Sequence, residues 1–81
     1  MNLGKVMTWS RDGKIVDHRG VYDSKYMNGN FIAILSTSEP VRFLLLEMAQ
    51  PYQTLCLACK VLLTDGRVGW LWSAHIEELT E

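Results

Sequence analysis

The stretch Cys59-Lys60-Val61-Leu62-Leu63-Thr64-Asp65-Gly66-Arg67-Val68-Gly69-Trp70-Leu71-Trp72 decides the fold, because two apolar runs flank an Asp-Gly pair. Asp-Gly in that setting is the strongest short-range hairpin signal. A two-residue type I′ turn needs positive φ at both central positions, which Asp tolerates and Gly adopts freely. Such a turn predicts that Thr64 faces Arg67, Leu63 faces Val68, Leu62 faces Gly69, Val61 faces Trp70, Lys60 faces Leu71 and Cys59 faces Trp72. Strand side chains alternate, so Cys59, Val61, Leu63, Val68, Trp70 and Trp72 share a wholly apolar face. Lys60, Leu62, Thr64, Arg67, Gly69 and Leu71 share a mixed one. The implied class is all-β.

Working outward, Gly4 to Trp9 has the β-branched and aromatic character of a first strand, broken by Ser10-Arg11-Asp12-Gly13. Lys14 to Asn30 is rich in charge, Gly and Tyr and reads as a long excursion. Asn28-Gly29-Asn30 is a turn signal, and Phe31 to Leu35 after it reads as a buried strand. Val41 to Gln50 combines helix formers with a length that suits either state, and Pro51 ends it. It is expected to be an irregular excursion with strand or one-turn helix content. Leu55-Cys56-Leu57-Ala58 then leads into the hairpin. No repeat, low-complexity tract or linker divides the chain, so residues 1–81 read as a single domain.

From Gly69 the chain continues Gly-Trp-Leu-Trp-Ser-Ala-His-Ile-Glu-Glu-Leu, and here it resembles the closing segment of SH3-like barrels. The resemblance implies a small SH3-like barrel of five or six antiparallel strands. It also implies a 3₁₀ turn at Ser73-Ala74-His75 and a closing core residue at Ile76. Residues 61–70 are similar to the ending of many short SH3-like proteins encoded by bacteriophages, which implies a phage origin. The likeness covers about a quarter of the chain and bears on fold more than on function, since such barrels host unrelated activities. Gly20-Val21-Tyr22-Asp23 has a look of the Ala-Leu-Tyr-Asp motif of peptide-binding SH3 domains. The longer spacing to the hairpin, the missing paired tryptophans before it, and Trp72 at the place of the ligand-contacting proline all argue against that motif.

A chain of 81 residues builds a small core for which oligomerisation is a natural support. Its 48% apolar and 21% charged residues are those of an ordinary folded protein. The net charge of −1 supplies no general attraction to nucleic acid or to a membrane. Residues 1–30 carry five Lys/Arg against three Asp, and residues 31–81 carry three against six acidic residues. The start of the chain lacks a continuous apolar run of the secretory kind, and no stretch is long enough to span a bilayer. A cytoplasmic protein is expected, in host cytoplasm or virion if phage-encoded, with no membrane partner.

Cys56-Leu57-Ala58-Cys59 has the C-x-x-C spacing of a redox pair or half a zinc site. A redox motif uses a helix N-terminus to stabilise its thiolate, and this one lies in a strand-like run. His18 and His75 have no ligand spacing to each other or to the cysteines. Small apolar side chains are the simpler reading, so no metal and no cofactor are expected. Asp12, Asp17 and Asp23 do not fit a calcium loop. Near His75 no nucleophile, base and orienting group can be assembled, and no catalytic residue or enzyme activity is expected.

The aromatics carry the functional expectation, because they anchor interfaces as readily as cores. Tyr22, Tyr26, Trp70, Trp72 and His75 are the candidates for a partner-binding surface, by likeness to the aromatic groove of peptide-binding SH3 domains. Val61, Leu63, Val68 and Trp70 are candidates for a second reason. The polarity of the hairpin turns them inward, whereas the SH3-like resemblance puts Leu62, Gly69 and Leu71 inside. Whichever face closes the barrel, the other leaves apolar area to be covered by residues 41–50 or by a second chain. The expected function is a non-enzymatic protein–protein interaction or assembly module with a homo-oligomer as one form. The alternatives are a nucleic-acid-binding barrel, using Lys14, Arg19 and Lys25, and a structural component of a larger particle.

Overall fold

A computed structural model of the chain describes residues 3–53 and 56–80. Seven strands form one sheet: β1 Val6–Trp9, β2 His18–Tyr22, β3 Phe31–Ser36, β4 Phe43–Ala49, β5 Ala58–Leu62, β6 Val68–Trp72 and β7 Ile76–Glu78. Their order in the sheet is β3-β2-β6-β5-β4-β1-β7, and every pairing is antiparallel. Two 3₁₀ turns, Asp12–Lys14 and Ser73–His75, complete the regular structure among the described residues. No helix among the described residues is long and apolar enough to cross a membrane. The expected five or six strands are therefore seven. One strand beyond those expected arises because the excursion after β1 folds into β2, paired along its length with β3 and at Tyr22 with Trp70 of β6.

The hairpin forms where the sequence predicts it, with a register one residue away from the predicted one. Leu62 pairs with Val68, Val61 with Gly69, Lys60 with Trp70, Cys59 with Leu71 and Ala58 with Trp72. The turn is not type I′. Gly66 N–H donates to Leu63 C=O at 3.0 Å, Leu63 N–H donates to Arg67 C=O at 2.8 Å, and positive φ falls on Gly66 alone, at +92°. Thr64, Asp65 and Gly66 thus make a three-residue loop with glycine at the left-handed position. The Asp65 carboxylate favours this form by accepting from Arg67 N–H at 3.0 Å and Arg67 Nε at 2.7 Å.

A slip of one residue exchanges the faces of one strand relative to the other, and this resolves the conflict over which hairpin face points inward. Cys59, Val61 and Leu63 of the first arm join Gly69 and Leu71 of the second on the inside. The first arm follows the polarity argument and the second follows the SH3-like expectation. Around them the core gathers Met7 and Trp9 of β1, Val21 of β2, Phe43 and Leu45 of β4, and Ile76 of β7. The Trp9 and Phe43 rings meet edge to face at 5.0 Å, an arrangement worth about 1 kcal/mol beyond burial. Ser73–His75 and Ile76 stand as expected, the latter paired with Trp9 and buried.

One open reading is settled in favour of strand and another needs correction. Residues 43–49 form the longest strand, carrying a bulge between Leu45 and Glu47 that turns Leu46 outward. Long-range pairing on β1 and β5 overrides the local helix propensity of this segment. Strand β3 is an edge strand, with Phe31 and Ile34 exposed, and not a wholly buried one. The apolar run was expected to begin at Leu55, which lies outside the described residues. No ladder joins edge strands β3 and β7 among the described residues. Side chains reach β3 instead: Trp9 Nε1 donates to Ser36 C=O at 3.3 Å and Arg67 Nη1 to Ile32 C=O at 2.5 Å.

The outer face of the hairpin has its own small cluster. Trp70, 8% exposed, packs with Met27 and Ala58, and Tyr22, Ala49 and Trp72 surround them. Met27 comes from the β2–β3 connection, where a turn closed by Met27 N–H on Ser24 C=O (3.1 Å) holds it at φ +57°. A non-glycine residue at positive φ costs about 1 kcal/mol or more and persists where surrounding contacts outweigh it. Here the buried Met27 side chain supplies those contacts.

Candidate functional site

The local fold brings three aromatic rings from distant segments into a row. Trp72 ends β6 and stands half-buried. Tyr52, in the segment between β4 and β5, lies 6.4 Å from it, centroid to centroid, and Tyr26, in the β2–β3 connection, lies 6.3 Å from Tyr52. Tyr52 Oη donates to Tyr26 C=O at 2.7 Å, so the two connections are tied together. Tyr52 and Tyr26 remain 41% and 46% exposed. Lys25 Nζ sits 5.4 Å from the Tyr26 ring centroid, within cation–π reach.

Beyond Trp72 the row opens into a cleft of about 240 Å³. Tyr22, Phe31, Leu71 and Trp72 supply its apolar lining, and His18, Arg19 and His75 supply its polar lining. Gly20, the remaining lining residue, is needed for close approach: a Cβ there would overlap the Phe31 ring, which lies on the strand at that point. Phe31 tilts against Tyr22 at 4.8 Å and is 50% exposed.

The polar side of the cleft is fixed by backbone contacts. Ser10 N–H donates to His75 C=O at 2.9 Å and Ser10 Oγ to Ala74 C=O at 2.8 Å. Gly13 packs so closely on His75 C=O that no side chain fits. Arg19 Nε donates to Gly13 C=O at 2.7 Å and Nη2 to Asp12 C=O at 3.0 Å. The two 3₁₀ turns and β2 are thereby locked to one another. Burial, helped by the Arg19 guanidinium and opposed by Asp12, pushes the His75 pKa below its ordinary value.

Of the residues singled out in the sequence, Tyr22, Trp72 and His75 meet in this cleft, and Tyr26 joins them through Tyr52. Trp70 is covered by Met27. Val61 and Leu63 are core residues and leave the candidate surface, because the register shift turns the β5 arm inward. Val68 is 41% exposed at the turn end of β6 and does not line the cleft. Tyr52, Phe31 and His18 are additions that the residue pattern did not offer for this surface, and Arg19, expected only as a cation of the nucleic-acid alternative, lines the cleft as well. Tyr52 stands beside Pro51 in a segment with no periodicity, and Phe31 opens a run whose apolar character suggests burial.

Cys59 is buried and its thiol is pushed up to about 11 by burial and by Cys56 nearby. Such a thiol is a poor nucleophile at neutral pH. No group of three or more His, Cys, Asp or Glu residues suited to a metal ion occurs among the described residues. A second cleft, of about 500 Å³, lies between residues 39–43 and 63–65 and has Phe43 as its one aromatic lining residue. No family model, curated protein or solved structure matches the chain.

Proposed function

We propose that the chain is an SH3-like domain acting as a non-enzymatic protein–protein interaction module, and that it binds an extended segment of its partner along Tyr26, Tyr52 and Trp72. The succession β4–β5–β6, a 3₁₀ turn, and β7 laid on β1 supports the SH3-like reading. The observation that carries the function is the exposed aromatic row running into the cleft. Rings that serve only the core are covered, as Trp9 is, whereas Tyr26, Tyr52 and Phe31 keep much of their area in water. Aromatic-lined grooves suit extended segments, whose stiff backbone loses little entropy on docking. The nucleic-acid alternative is weaker. The row has Lys25 at one end and Arg19 at the other, and strong phosphate binding calls for more cations than these two.

Selection from a displayed library of random peptides tests the proposal. Enriched peptides should bind the wild-type protein and lose affinity for Tyr52→Ala and Trp72→Ala, the folds of both variants being checked by circular dichroism. Peptides that bind both variants as well as wild type, or no enrichment at all, would reject the aromatic row as the binding surface.

A further inference from the structure

The charge of the cleft identifies the chemistry of what enters it, given the binding surface proposed above. Among the described residues its ionisable lining consists of Tyr22, His18, Arg19 and His75, with no carboxylate. Asp12, which acts on His75 through its charge, belongs to the first 3₁₀ turn and not to the lining. Arg19 is half-buried, and its bonds to Gly13 and Asp12 go to backbone carbonyls, which fix the guanidinium in place and leave its charge unneutralised. A held, partly desolvated cation beside a wall of aromatic rings is complementary to an anion carried by an otherwise apolar segment.

The size of the cleft narrows the choice. At about 240 Å³ it falls below the range of about 300–1,000 Å³ common for pockets that enclose a whole small molecule. It suits one side chain of a larger partner. A nucleic-acid strand would bring a charge at every step, whereas the cleft presents a single guanidinium and two histidines.

We infer that the cleft receives the carboxylate side chain of a Glu or Asp in an extended partner segment, whose neighbouring apolar residues lie over Trp72, Tyr52 and Tyr26. The specificity is thus for an acidic residue at one fixed place, set by Arg19 and His18, with affinity drawn from the rings.

Three synthetic proline-rich peptides that differ only in carrying Glu, Ala or Lys at one central position test this, with binding followed by tryptophan fluorescence and by anisotropy of a label. The Glu peptide should bind about tenfold more tightly than the Lys peptide at low ionic strength, and the gap should narrow at high salt. His18→Glu adds a carboxylate at an exposed position of the lining and should erase the gap between the Glu and Lys peptides. Equal binding of the three peptides, or preference for Lys, with loss of binding in Trp72→Ala, would overturn the acidic specificity and leave the aromatic surface standing. Absence of binding by all three would overturn both. Tighter binding of a short oligothymidine than of the Glu peptide would overturn the inference in favour of nucleic acid.

Discussion

Gly66 shows how one residue sets the hairpin. Its φ of +92° lies in the region that side chains avoid, and a Cβ at this position would meet nothing within 4 Å. The cost of substitution is therefore conformational and not steric. Gly66→Val is expected to lose about 1–3 kcal/mol in a denaturant titration, and Gly66→Asn much less, because Asn tolerates the left-handed region. Equal losses would mean that the turn has changed type. His75 carries a pH dependence whose sign follows from its burial. Its pKa is lowered in the folded protein, so the unfolded chain binds the proton first. The stability it contributes is complete above the unfolded value of 6.5 and is lost as the pH falls through that value toward the folded one. Denaturant midpoints measured across this range should fall with pH, and the fall should be smaller in His75→Asn.

At the scale of elements, the β2–β3 connection is held by a plug. Met27 gains burial on Trp70 and Ala58 at the expense of an unfavourable φ. Met27→Ala loses the packing and keeps the strain, whereas Met27→Gly loses the packing and relieves it. Glycine is expected to be less destabilising than alanine here by about 1 kcal/mol, the reverse of the usual order within regular structure. Thermal unfolding of the two variants checks it, and the usual order would show that the loop can relax without Met27. The same connection carries Tyr26 to Tyr52, so loosening it should also weaken the peptide binding proposed for this row.

For the whole molecule, the question is what covers the outer face of the hairpin. Met27, Tyr22, Ala49 and Trp72 surround Trp70 from within the chain, so burial of this ring requires no second copy. Trp70→Ser is expected to cost about 3–5 kcal/mol, the range for emptying a tryptophan site, with the mass of the folded species unchanged. Light scattering alongside a denaturant titration measures both. A fall in mass with stability retained would show that Trp70 instead sits between copies. Edge strand β7 is short and carries Glu77 and Glu78, which discourages edge-to-edge pairing.

The residue pattern by itself determined the all-β class, the hairpin at residues 59–72 and strand β1, which follow from alternation and turn chemistry within a few neighbouring residues. The resemblance of the ending to SH3-like barrels anticipated the 3₁₀ turn at Ser73–His75 and the core role of Ile76. The resemblance also pointed to Tyr22, Tyr26, Trp70, Trp72 and His75 as a candidate surface, of which Trp70 is covered by Met27. Only the tertiary structure decided the hairpin register, since Asp-Gly suits both a two-residue turn and a three-residue loop, and the choice between them is made by the core that the arms must share. It alone turned residues 43–49 into a strand, through partners on β1 and β5 that are distant in sequence. It alone placed Tyr52 and Phe31 beside Trp72, because the row they form joins connections whose mutual position is fixed by the sheet and not by local sequence.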